Sequence, residues 1–113
     1  MNKVEKPWGY YEVLYEDKCS TVKRLVIHPG QRISLQSHNH RSEHWVVVEG
    51  VAWVELNADT ITLLQDEYVY IPLYQTHRVT NDDDIPLVII EVQYGDCRED
   101  DIVRYADDYN RIP

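Results

Sequence analysis

Residues 30–50, GQRISLQSHNHRSEHWVVVEG, gather three histidines, Gln36 and two glutamates at the mouth of a β-branched run. Gln36 and His38 stand two positions apart, so on a strand both side chains leave the same face. A tight turn through His40, Arg41 and Ser42 would return Glu43 on the neighbouring strand, and one hairpin would then present three donors to a single ion. A fourth donor is found downstream. His77 is the one histidine in the second half of the chain and follows a second strand-like run at 68–71 and a Pro72 turn. An amide oxygen, two imidazoles and a carboxylate make a mixed nitrogen/oxygen set that suits one divalent metal ion, with zinc foremost and manganese, iron, cobalt or nickel as alternatives. The plainer alternative is four ordinary polar strand residues.

Other residues of the cluster are candidates for chemistry beside the ion. His40 forms an HxH pair with His38 and could replace Gln36 as a ligand, whereas His44 faces away from Glu43 on a regular strand. For His40 and His44, a role in orienting ligands or lining the pocket stands against simple surface exposure. Arg41 lies between the ligands, and Arg32 shares strand parity with Gln36 and His38. An arginine fork binds phosphate oxygens through two parallel hydrogen bonds, so Arg32 and Arg41 are candidate substrate-binding groups, with Lys23 on the preceding strand as a third. For each of these cations the alternative is a solvated rim charge.

Short strands must carry these residues. Alternation and β-branched runs predict strands at 9–15, 20–27, 33–36, 43–49, 51–56, 60–64, 68–71, 77–80 and 87–94, separated by turn signals such as His28-Pro29-Gly30 and Asn57-Ala58-Asp59. At least eight strands without a long helical pattern predict an all-β sandwich or small barrel. The acidic residues Glu99, Asp100 and Asp101 ahead of Ile102, Val103 and Tyr105 predict a short C-terminal helix. A single domain is expected over 1–113, with its compact core at about 7–105. Trp45, Trp53 and the valines 46–48 are expected in the core, and Trp8 over a barrel end or an adjoining subunit.

The two-part ligand arrangement resembles the cupin signature, in which a glycine-bounded first motif carries three ligands and a later histidine the fourth. Gln36 replaces the commoner histidine. Together with QSHNHRSEHW at 36–45, this narrows the resemblance to the cupin domain of type II phosphomannose isomerases. Lys6-Pro7-Trp8-Gly9, Val22-Lys23-Arg24-Leu25 before Pro29-Gly30, Ile85-Pro86-Leu87 with Ile90-Glu91-Val92-Gln93, and the run 99–104 are similar to that family as well. The resemblance implies a cupin fold, a double-stranded β-helix or jelly-roll barrel, and a metal-dependent aldose-ketose isomerase interconverting mannose 6-phosphate and fructose 6-phosphate. Such a reaction needs a general base, for which His40, His44 and Glu49 are the candidates, with a metal-bound hydroxide as a further option. It departs from the family at Tyr74, where a glycine is usual, at 94–98, and at Tyr109-Asn110-Arg111. Alternatives are action on or binding of another sugar phosphate, a small metal-dependent dioxygenase, and a non-catalytic sugar-binding module. By analogy a homodimer is expected, pairing through an edge strand at 9–15.

Bulk composition narrows the partners. Twenty acidic residues against eleven basic ones give a formal charge of −9, which disfavours nucleic acid and anionic membrane surfaces as partners. A sugar phosphate then needs a locally basic pocket. The 113 residues include neither an apolar run of membrane-spanning length nor a signal-type hydrophobic stretch, so a cytoplasmic location is expected. The nucleotidyltransferase region often fused to this domain in the family is not among them, and no pyrophosphorylase activity is expected. Cys19 and Cys97 are read as two free thiols rather than a disulfide.

Overall fold

The computed structural model describes residues 3–96 and 101–111. Its strands are β1 (Lys3–Lys6), β2 (Gly9–Glu16), β3 (Ser20–Ile27), β4 (Leu35–Ser37), β5 (Arg41–Glu49), β6 (Ala52–Leu56), β7 (Asp59–Leu63), β8 (Tyr68–Ile71), β9 (His77–Thr80), β10 (Leu87–Gly95) and β11 (Val103–Ala106). They form two antiparallel sheets. One has the order β1-β2-β3-β10-β5-β8, the other β11-β4-β9-β6-β7. The non-consecutive neighbours, β10 between β3 and β5 and β9 between β4 and β6, are the crossovers of a jelly roll.

Alternation builds the core between the sheets. Leu25, Ile27, Trp45, Val47, Val54, Ile71, Val79, Leu87 and Ile89 all turn inward and are buried. Each large apolar side chain so placed contributes roughly 1.5–3 kcal/mol relative to exposure. Towards the other end of the long strands the inward positions turn polar. Lys23, Glu43, Glu91 and Gln93 are buried on the inner face of the six-stranded sheet.

Several expectations are corrected. The hairpin proposed to carry three donors does not form, because β4 and β5 belong to different sheets. Asp101 fixes the crossing: its carboxylate accepts the Asn39 and His40 main-chain N–H groups at 2.9 Å each, holding 38–40 as a bridge between layers. Among the described residues there is no C-terminal helix. Residues 97–100 lie outside those described, and Val103–Ala106 pairs with β4 as a strand, since alternating Val103 and Tyr105 suit a pleated edge and Asp101 is engaged in the bridge. Lys3–Lys6 pairs with Gly9–Glu12, so over that part of the 9–15 segment β1 and not β2 forms the edge of the sheet. Trp53 is 47% exposed, because Ala52 and Val54 take the inward positions of β6, and Val46 and Val48 likewise face outward around buried Val47. Cys19 is a free, exposed thiol, and Cys97 falls outside the described residues. No helix among the described residues is long and apolar enough to cross a membrane.

Candidate metal centre

His38, just past the end of β4, Glu43 on β5 and His77 on β9 converge from the two sheets. Gln36 on β4 stands directly opposite His77 on β9, and His38 follows β4 by one residue. Glu43 reaches across from β5. One ligand atom from each of His38, Glu43 and His77 lies within 4.8 Å of the others, and all three residues are buried.

The hydrogen bonds around this group decide which nitrogen faces it. His38 Nδ1 lies 2.6 Å from the Asp101 carbonyl and His77 Nδ1 lies 2.9 Å from the Gln75 carbonyl. A carbonyl only accepts, so each Nδ1 carries the proton and each Nε2 offers a lone pair. Those lone pairs point at a carboxylate: His38 Nε2 is 3.2 Å from Glu43 Oε2 and His77 Nε2 is 3.7 Å from Glu43 Oε1. His77 Nε2 is buried with no hydrogen-bond partner.

Burial pushes the His38 imidazole down to about 4, with Arg41 and His77 adding to the effect and Glu43 opposing it. Burial lowers His77 also. Both rings are therefore neutral at neutral pH. For Glu43, burial opposes ionisation, but His77, His38 and Arg41 outweigh it and hold the carboxyl at about 2. Of these three neighbours only Arg41 is charged at neutral pH. Its Nε donates to Glu43 Oε2 at 2.8 Å, and its Nη2 approaches His38 Nε2 at 3.3 Å.

Two imidazole lone pairs and a carboxylate turned on one point repel each other unless a cation lies between them. The donor set fits a divalent ion, with hydrogen-bonded carbonyls fixing both rings as metal-ligating histidines require. Gln36 lines the adjoining cavity, its amide oxygen accepting from Ser34 Oγ at 2.9 Å.

In front of this group a cavity opens between the sheets. Lys6, Lys23, Arg41, Arg104 and Arg111 bring positive charge to it, Trp8, Tyr11 and Trp45 wall it, and Glu91 and Gln93 line it. Lys23 Nζ sits 4.2 Å from the centre of the Tyr11 ring. The register on β10 sets the polar floor in rows: Glu91 pairs with Lys23 on one side and Trp45 on the other, while Gln93 pairs with Thr21 and Glu43. Trp45 Nε1 donates to both Glu43 Oε1 and Glu91 Oε2, at 3.1 Å each, and so ties the two carboxyl groups together. Burial and then the charge of Glu43 raise the Glu91 carboxyl to about 8, against the pull of Lys23 and Arg41.

The structure brings some of the expected residues to this site and leaves others outside it. Gln36, Lys23 and Arg41 line the cavity, beside the His38, Glu43 and His77 group. Arg32 does not. It forks onto Asp108 at 2.7 and 2.8 Å and faces a separate surface cleft with Trp53, because strand parity does not carry across the irregular stretch between Arg32 and β4. His40, His44 and Glu49 are exposed, and none of them lines the cavity. His44 packs on Tyr70 on the outer face of β5, as its parity against Glu43 required. Residue-by-residue reading missed Lys6, Glu91, Gln93, Arg104 and Arg111. The one signal was that Lys6, Glu91, Gln93 and Arg104 fall within stretches that carried the family resemblance.

Comparison with known proteins follows the same lines. A family model described as mannose-6-phosphate isomerase C-terminal matches residues 1–107. The xanthan biosynthesis protein XanB of Xanthomonas campestris pv. campestris is 46% identical over 110 residues, 96% of this chain and 24% of that protein. Mannose-1-phosphate guanylyltransferase of Escherichia coli K12 is 45% identical over 111 residues, 97% of this chain and 23% of that protein. The chain thus spans about a quarter of the length of these relatives. Among solved structures, an RmlC-like cupin from Shewanella frigidimarina superposes with a TM-score of 0.77 at 18% identity, covering 88% of this chain and 86% of that one, a likeness of fold.

Proposed function

Because the chain belongs to the mannose-6-phosphate isomerase C-terminal family, we propose that it is a metal-dependent aldose-ketose isomerase interconverting mannose 6-phosphate and fructose 6-phosphate. The observation that carries this reading is the juxtaposition of two features: the His38, Glu43 and His77 donor group, and beside it a cavity with a cationic wall in a chain of net charge −9, joined by Arg41, which lines the cavity and donates to Glu43. A divalent ion held by these residues with Gln36 would supply Lewis acidity toward sugar oxygens.

The protein's own groups do the rest. Lys6, Lys23, Arg104 and Arg111 provide the local positive field that a phosphate needs, and the arginines add forked donors. Arg111 is itself held by Asp107 through two bonds of 2.9 Å, so its guanidinium is fixed in place before a ligand arrives. Trp8, Tyr11 and Trp45 exclude water from one wall and strengthen these electrostatic contacts. A dioxygenase would call for an apolar pocket, and this cationic lining favours the sugar phosphate.

The test combines metal content, measured by mass spectrometry on protein purified without chelator or nickel, with an isomerase assay on mannose 6-phosphate in added zinc, manganese or cobalt. Stoichiometric metal and turnover, both lost in His38→Ala, are expected. Metal without turnover would move the function to another sugar phosphate, and protein that takes up no metal would overturn the centre itself.

A further inference from the structure

The isomerase reading leaves the proton-transfer group unassigned, and the residues first considered for it, His40, His44 and Glu49, are exposed outside the cavity. Glu91 and Gln93 are both buried on the inner face of β10, one row apart. Glu91 Oε2 takes the Trp45 indole N–H, and Glu91 Oε1 takes the Gln93 amide N–H at 2.5 Å. Gln93 is 1% exposed, and its Oε1 has no hydrogen-bond partner. A buried acceptor left open beside a carboxyl, in a cavity rather than a packed core, is a place for a ligand hydroxyl.

Resting on the isomerase reading, we propose that Glu91 is the catalytic residue that carries the proton between C2 and C1 of the hexose phosphate, with the Gln93 amide oxygen receiving a sugar hydroxyl. The position fits the task. The Trp45 indole N–H contacts Glu91 and the metal-centre residue Glu43 alike, so a sugar whose oxygens face the centre has its adjoining carbons near Glu91. Lys23, paired with Glu91 across the β10–β3 ladder, supplies the compensating charge when the carboxyl is ionised.

The step balances without an oxidant or reductant. Glu91 carboxylate takes the proton from C2, the C2–H pair becomes the C1=C2 bond, and the carbonyl pair moves to O1. The same carboxyl then delivers the proton to C1, while O2 gives up a proton and O1 gains one. A proton resting on Glu91 between these events exchanges with solvent.

The experiment follows deuterium entry at C1 and C2 by NMR during reaction of fructose 6-phosphate in D2O, comparing the unmodified protein with Glu91→Gln. Glu91→Gln is close in shape, and its new amide can donate to Gln93 Oε1 after that side chain turns over. We expect isomerisation and exchange to fall together by about 10²–10⁴-fold, with metal content and the thermal shift induced by mannose 6-phosphate unchanged. Retention of more than a tenth of the exchange rate in Glu91→Gln would overturn the assignment and leave the isomerase reading intact. An unmodified protein that binds metal and sugar phosphate but neither isomerises nor exchanges would overturn both.

A second measurement needs no variant. Glu91 carboxylate should open the epoxide of 1,2-anhydromannitol 6-phosphate, breaking one ring C–O bond, forming an ester and leaving a hydroxyl that takes a proton from water. Peptide mapping of the unmodified protein should place that ester on Glu91. An ester confined to any other carboxyl would count against the proposal.

Discussion

At the scale of single residues, the hydrogen-bond partners of the two histidines matter more than the histidines themselves. Carbonyls at Asp101 and Gln75 hold the Nδ1 protons and turn both Nε2 atoms on Glu43. The identities of His38, Glu43 and His77 were legible from spacing, but the tautomers were not, because the partners come from residues 101 and 75. Trp45 works in a similar way, with one N–H shared by two buried carboxyl groups. Trp45→Phe keeps an aromatic ring in the core, though a smaller one, and removes that donor. It should cost roughly 2 kcal/mol of stability, read as a lower urea midpoint with an unchanged slope, because both carboxyl groups lose a bond where water cannot replace it.

At the scale of elements, the segment running into β11 positions the site. Asp101 caps the bridge between β4 and β5 with its side chain and orients His38 with its carbonyl. Asp101→Ala should lower metal affinity about 10–100-fold, measured by competition against a fluorescent chelator, because the freed bridge no longer fixes the His38 ring. Gly95 closes the same crossing from β10. Its φ is +119°, and a Cβ there would stand 2.4 Å from the His40 carbonyl oxygen. Gly95→Ala should destabilise by about 3 kcal/mol or more in chemical denaturation, since main chain and not a movable side chain blocks the space. After β11, the Asp107 carboxyl is held down at about 2, chiefly by its bonds to Arg111. A carboxyl depressed in the folded state adds stability that is complete above its unfolded value and lost as pH falls through the folded one. Acid titration should therefore release the Arg111 clasp between about pH 4 and pH 2, seen as the Asp107 shift by NMR.

At the scale of the whole molecule, the two sheets are joined at the metal centre by groups that repel one another without a cation. A bound ion contributes RT ln(1 + [L]/Kd), about 4 kcal/mol at a thousandfold excess over Kd. Chelation should thus lower the melting temperature by several degrees, and returning a divalent ion should restore it, as followed by calorimetry. Arg41 moderates the loss, since its guanidinium already lies against Glu43 and His38.

The sequence by itself determined β2 to β10, because alternation and turn residues are local, and it determined the ligand types, because donor chemistry resides in single side chains. It also carried the family through runs spread over nearly the whole length. The tertiary structure decided what those residues meet. That β4 and β5 part into different sheets, that Val103–Ala106 runs as an edge strand, and that Glu91, Gln93 and Arg104 line the cavity all depend on pairings between residues far apart in the chain. A period of two sorts a strand into two faces; only the sheet packed against it decides which face becomes the inside.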